Sequence, residues 1–363
     1  MKKIKNIICF TAVISCVCWL LARTTWAAGA ADPNANAKTQ ATLQFLNGLP
    51  TGTTNRLIIG QHEYPSGYPD YVANIYSTTG KYVGLVGYDF YFENSSTYYS
   101  KMINCANANS LITVMPHFPN PDGSFPNPPK TVDMTALITN GSSANTTFKA
   151  QMDAVAAGLT TLQNSNVTVL FRPFHEMNGN WYWWSSYNAS PGQYVAAWRY
   201  LFTYMTTTKG LHNLLWVWAP NATIDWSYYP GSSYVDVVAA DVYNTQSLSG
   251  AIDGYNSLAA NAPGKPFAIA EGGPCDPSAG CTSSVNVYPS STSGLLYNIK
   301  TYMPKTTYFM EWGGSYALNG SYVTNAAGLL GDPWVMTRDE MPIMTGGSPD
   351  ATPPAAPVGL VVR

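Results

Sequence analysis

Short apolar runs recur along the chain, each ending in polar or aromatic residues. They are Leu57–Gln61, Tyr82–Tyr88, Leu111–Met115, Val167–Phe171, Leu214–Trp218, Val235–Ala240, Pro266–Ala270 and Thr307–Met310. Continuous apolar runs of this length suit strands buried on both faces, as in a parallel sheet covered by helices. Helical spacing fills several of the gaps, most clearly over Phe148–Leu162 and Gln193–Met205. Eight strands with interleaved helices in about 300 residues predict an α/β fold, a single (β/α)8 barrel. A doubly wound open sheet is the competing architecture, but no Gly-rich phosphate turn comes after the first run.

The barrel is assigned residues 31–346 of the 363. Residues 1–30 read as a signal peptide. A basic start, Met1-Lys2-Lys3-Ile4-Lys5, precedes an uncharged apolar core from Ile7 to Leu21, and Ala27, Ala28 and Ala30 come next. Val13-Ile14-Ser15-Cys16 has the look of a lipidation box, but the apolar core continues past it to Leu21. A secreted protein, extracellular or periplasmic and free of the membrane once the signal is removed, is expected. Residues 347–363 have the Pro/Ala-rich composition of a tail or linker. Three of the six cysteines leave with the signal. Cys275 and Cys281 bracket a short Pro/Gly loop that could close as a disulfide, leaving Cys105 unpaired.

Charged residues make up 10% of the chain and the net charge is −2, which gives no electrostatic footprint for nucleic acid or anionic lipid. The 25 tyrosines and 11 tryptophans fit a neutral polar partner such as carbohydrate, though a low-charge secreted surface alone has a similar composition.

The residues just beyond each strand matter most, because barrel active sites lie at the carboxyl ends of the strands. Gln61, His62 and Glu63 stand at the end of the first strand, Asp89 at that of the second and His117 at that of the third. Arg172, His175 and Glu176 come after the fourth, and Asn221 and Trp226 after the fifth. Asp241, Tyr243 and Asn244 come after the sixth, Glu271 after the seventh, and Glu311 and Trp312 after the eighth. Glycoside hydrolysis needs two carboxyl groups flanking one bond. Strands four and seven lie nearly across an eight-stranded barrel, so Glu176 and Glu271 can converge. This placement makes Glu271 the nucleophile and Glu176 the acid/base, about 5–5.5 Å apart, with retention of configuration. Taken alone, a Glu before Gly-Gly-Pro is more simply an ordinary loop carboxylate. Aromatic clusters are also commonly core, and consecutive Trp183 and Trp184 cannot both face one site. Glu176 is not part of a zinc His-Glu-x-x-His motif, because Gly179 stands where the second His would be. No metal and no cofactor are called for.

Arg172-Pro173-Phe174-His175-Glu176-Met177-Asn178-Gly179-Asn180-Trp181-Tyr182-Trp183-Trp184 resembles the signature of glycoside hydrolase family 26, whose best-known members are endo-β-1,4-mannanases. The resemblance runs from about Leu57 to Met344 and includes Trp218-Ala219-Pro220-Asn221, Asp241-Val242-Tyr243 and the segment Lys265 to Glu271. It implies a (β/α)8 fold, a retaining mechanism, Glu176 as acid/base and Glu271 as nucleophile. It further implies that Arg172 and His175 orient the site and that Tyr243 bonds the nucleophile. His117, Trp181 and Trp312 would line the subsites beside the scissile bond. The expected substrate is internal β-1,4-mannosidic linkages of mannan, glucomannan or galactomannan, acted on by a monomer. Mixed-linkage glucanase or β-1,3-xylanase activity on the same scaffold is the alternative, and a non-catalytic carbohydrate-binding barrel the third. Two features depart from the pattern. Ser232 stands where the family often has an acid, and Glu311 adds a carboxylate that could pair with Arg172 or rival Glu271.

Overall fold

The computed structural model describes residues 29–51, 57–63, 70–273 and 293–344. Eight parallel strands close into a barrel: β1 Leu57–His62, β2 Leu85–Asp89, β3 Leu111–Met115, β4 Val169–Phe171, β5 Leu214–Trp218, β6 Val237–Val242, β7 Phe267–Gly272 and β8 Thr306–Glu311. Each strand pairs with its successor, and β1 pairs with both β8 and β2 to complete the ring. Helices lie between and around the strands: α1 Ala37–Gly48, α2 Tyr71–Thr79, α3 Ser96–Asn107, α4 Met134–Leu137, α5 Ser143–Asn164, α6 Pro191–Thr203, α7 Thr245–Asn261, α8 Leu295–Tyr302 and α9 Ala326–Gly331. The protein is a (β/α)8 barrel.

The burial explains why the strands read as continuous apolar runs. Ile58, Leu85, Leu170, Leu215, Ala268 and Met310 belong to one apolar cluster that fills the barrel. Their neighbours Ile59, Val86, Val169, Trp216, Ile269 and Phe309 belong to a second cluster shared with the helices. Side chains still alternate along each strand, but both faces are apolar. The helices start where the sequence offers caps. Ser190 accepts from the Gln193 amide while the Gln193 side chain returns a bond to the Ser190 amide, with Pro191 at the first helical position.

Several strand boundaries differ from the sequence expectation; β4, for one, begins at Val169 instead of Val167. Tyr82 and Val83 precede β2 instead of opening it. A short parallel strand, β9 Val335–Met336, pairs with the start of β1 there, and Val83 bridges Thr337. β6 begins at Val237 instead of Val235, because the Asp236 carboxylate accepts the Trp216 and Ala31 amides at 2.8 and 2.7 Å. Cys105 lies half-buried on α3 with a free thiol. Cys275 and Cys281 lie outside the described residues, as do residues 1–28 and 345–363, where most of the expected signal and all of the expected tail fall.

Candidate active site

The turn after β4 carries the first carboxylate. Pro173 ends the strand, and Phe174 and Glu176 take left-handed backbone angles, φ 49° and 54°. Non-glycine residues adopt such angles at a cost of about 1–3 kcal/mol, so surrounding bonds must hold them. The Glu176 amide donates to the Ala219 carbonyl at 2.7 Å. Asn178 clamps the loop after β5. Its amide nitrogen donates to the carbonyls of Asn221 and Thr223 at 2.6 and 2.7 Å, and its oxygen accepts the Asn221 amide at 2.8 Å. Gly179 lets the chain double back, because a Cβ there would lie 2.5 Å from the Trp181 ring. The Trp181 indole N–H then donates to Glu176 Oε2 at 2.7 Å.

The second carboxylate is aimed by a bulge. Ala268 and Ala270 face the barrel interior, so simple alternation would turn Glu271 outward. The β6–β7 register instead steps from Ala240 opposite Ile269 to Asp241 opposite Glu271, leaving Ala270 unpaired. An extra residue of this kind re-aims the side chains beyond it. Glu271 thereby joins Asp241 and Glu176, and one oxygen of each of the three lies within 4.8 Å of the others. Three buried carboxylates so close need positive charge, and Arg172 at the end of β4 supplies it. Its guanidinium donates to Asp241 Oδ2 at 2.9 Å and to Glu271 Oε2. The Tyr243 hydroxyl donates to the other Glu271 oxygen at 2.6 Å. Glu271 is thus held at both oxygens and Glu176 at one.

The remaining expected site residues sit around this centre. His117 is buried, its Nδ1 bonded to Asp89 Oδ2 at 2.8 Å and its Nε2 to the Tyr182 hydroxyl at 2.9 Å. Its ring meets His175 edge-on at 4.7 Å. Trp312 packs on His62 with ring centroids 4.4 Å apart. Trp183 and Trp184 are fully buried and spend their N–H groups on the Phe118 and His175 carbonyls, so both are framework. Glu311 belongs elsewhere. It is paired opposite Gln61, and its inward neighbours are Tyr308 and Met310. Alternation therefore turns it to the outer layer, where it is wholly buried and neither oxygen has a hydrogen-bond partner. Arg172 is paired with Asp241 and Glu271 instead. Asn178 and Tyr182 drew no role from the sequence, since nothing in residue type alone separates a clamp or a tether from the aromatic and polar residues around it.

Burial, and after it the charge of Glu271, pushes the Glu176 carboxyl above its ordinary range. Burial would lower Arg172, but the carboxylates of Asp241 and Glu271 outweigh it and keep the guanidinium charged. Burial, reinforced by Arg172, drives His175 well below its usual value, so its ring is neutral. Burial likewise brings His62 down to about 4. One carboxyl is therefore biased to keep its proton, beside another gripped by an arginine and a phenol. Opposed environments for two carboxyls assign acid and base roles. One oxygen of Glu176 and one of Glu271 lie within 4.8 Å of each other, short of the roughly 6.5–9.5 Å that separates the two carboxyls of inverting glycosidases.

The sequence model of Glycosyl hydrolase family 26 matches residues 31–340. The chain belongs to glycosyl hydrolase family 26. It is an enzyme, a glycoside hydrolase. Among its relatives in this family, mannan endo-1,4-beta-mannosidase A and B of Caldalkalibacillus mannanilyticus is 34% identical over 368 residues, 94% of this chain and 68% of that protein. A mannan endo-1,4-beta-mannosidase of Bacillus subtilis is 31% identical over 349 residues, 87% of this chain and 90% of the relative. The crystal structure of Bacillus subtilis mannanase man26 superposes with a TM-score of 0.75 at 28% identity, covering 86% of this chain and 96% of that one.

Proposed function

We propose that this family 26 enzyme is a secreted, retaining endo-β-1,4-mannanase that cuts internal linkages of mannan, glucomannan and galactomannan. The observation that carries the reading is the meeting of Glu176 and Glu271 within 4.8 Å, one carboxyl biased toward its protonated form and the other doubly hydrogen-bonded. The mannan endo-1,4-beta-mannosidases among its relatives support the choice of substrate.

In the first step Glu271 attacks the anomeric carbon while Glu176 gives its proton to the departing glycosidic oxygen. The bond to the leaving sugar breaks as an ester to Glu271 forms. Arg172 and Tyr243 fix the attacking carboxylate and limit its rotation, so little reorganisation is needed at the moment of attack. In the second step Glu176, now ionised, takes a proton from water, and the resulting nucleophile displaces Glu271 with a second inversion. Trp181 bonds Glu176 and walls it from solvent. His175, whose ring is neutral, and the tethered His117 present a rigid floor to the bound sugar.

Reducing-sugar release from glucomannan, galactomannan, unbranched mannan, mixed-linkage glucan, cellulose and β-1,3-xylan tests the substrate. Release from the mannans with glucan inert is expected. Release from mixed-linkage glucan or β-1,3-xylan alone would overturn the mannan assignment.

A further inference from the structure

Three aromatic side chains on the rim of the barrel are absent from both apolar clusters and from the residues packed against the larger one: Tyr91, Phe92 and Phe125. Phe92 is 48% exposed, and Tyr91 and Phe125 are half-buried. They come from two loops, after β2 and after β3, yet form one group. Phe92 and Phe125 lie nearly parallel with centroids 5.6 Å apart. Tyr91 meets both edge-on, at 4.8 and 5.0 Å. An exposed apolar group of this kind costs solvation, and core packing does not account for it.

The group is also held rigid, and held by the active site itself. Asp89, which anchors the His117 ring, accepts the Tyr91 amide at 2.9 Å through its other oxygen. Buried Asn120 accepts the Lys130 amide at 3.0 Å and donates to the Phe125 carbonyl at 2.8 Å, bracing the second loop. The Phe125 ring lies 4.9 Å from the His117 ring, which in turn lies 4.7 Å from the ring of His175 beside Glu176. An unbroken line of rings therefore leads from the carboxylates to the exposed face of Phe92.

We propose that Tyr91, Phe92 and Phe125 form a distal sugar-binding platform that grips the same β-mannan chain beyond the sugars flanking the scissile bond. The proposal rests on the mannanase reading. The chemistry is the stacking of sugar C–H faces, which carry slight positive charge, on the negative faces of aromatic rings. A preformed platform binds without the cost of ordering a loop.

The test compares wild type, Phe92→Ala and Phe92→Tyr on mannotetraose and mannohexaose. Phe92 makes no ring contact with His117, so its truncation leaves the centre intact. Phe92→Ala is expected to lower kcat/KM on the hexaose about fivefold, through KM, while the tetraose is unaffected, and Phe92→Tyr to keep the wild-type ratio. An equal fall on both substrates, or no change on either, would overturn the platform while leaving the mannanase reading in place. A wild type inactive on both would overturn that reading and the platform with it.

Discussion

Glu176 shows how much one side chain depends on its neighbours. Burial biases it toward the protonated form, while the Trp181 N–H opposes that by bonding the ionised form. A general acid must carry its proton, so kcat/KM falls as pH rises through the Glu176 pKa. Removing the indole donor in Trp181→Phe removes an interaction that favours the charged carboxylate. The pKa then rises, and the alkaline limb of the kcat/KM profile is expected to move to higher pH, whatever happens to its height. A limb that stays in place or moves down would contradict this role of the indole. Tyr243 acts on the other carboxylate through one charged hydrogen bond of 2.6 Å. Tyr243→Phe should cost roughly ten- to hundredfold in kcat/KM, measured on a soluble mannan oligosaccharide with the fold checked by circular dichroism.

At the scale of elements, the site is a matter of how strands end. The apolar runs and the polar residues after them were legible in the sequence, and so was the convergence of Glu176 and Glu271 from strands four and seven. The β7 bulge was not legible, because Ala270 and its neighbours look the same whether or not one residue is skipped. Strict alternation would have placed Glu271 and Glu311 alike, on the outer face, and only the register separates them. β9 escaped notice because two residues carry no periodicity. The roles of Asp89 and Tyr182 depend on a partner, His117, that is distant in sequence from both. The Asn178 clamp joins the β4 and β5 loops by three bonds and holds the left-handed turn. Asn178→Ala should destabilise the protein by about 1–3 kcal/mol and lower kcat through the loosened Glu176 turn. Thermal melting and single-substrate kinetics measure the two effects, and a loss of activity with an unchanged melting temperature would speak against the clamp.

Across the whole molecule, carboxyl groups are buried outside the reaction centre as well as inside it. Burial raises Glu63 to about 7, Glu93 to about 8 and Glu311 to about 8. Each folded-state value lies above the ordinary carboxyl range, so the folded protein binds protons more tightly than the unfolded chain. The stability they contribute is complete below about pH 4.5 and is lost as pH rises through 7 to 8. Glu311 has no hydrogen bond to offset its burial, so Glu311→Gln should remove its share of the alkaline loss, on the order of a few kcal/mol at pH 9. Melting temperatures from pH 5 to 9 test this: the variant's decline should be shallower than that of the wild type, and parallel declines would contradict it. The same comparison bears on the reaction, because Glu311 is walled off from the centre that Arg172 organises. The most direct measurement is to trap the glycosyl–enzyme intermediate with a 2-fluoro-mannosyl fluoride and locate the labelled residue by peptide mapping. A covalent mannosyl ester on Glu271 is expected; a label on Glu311 or Glu176, or turnover with inversion and no trapped ester, would contradict the assignment of Glu271 as nucleophile.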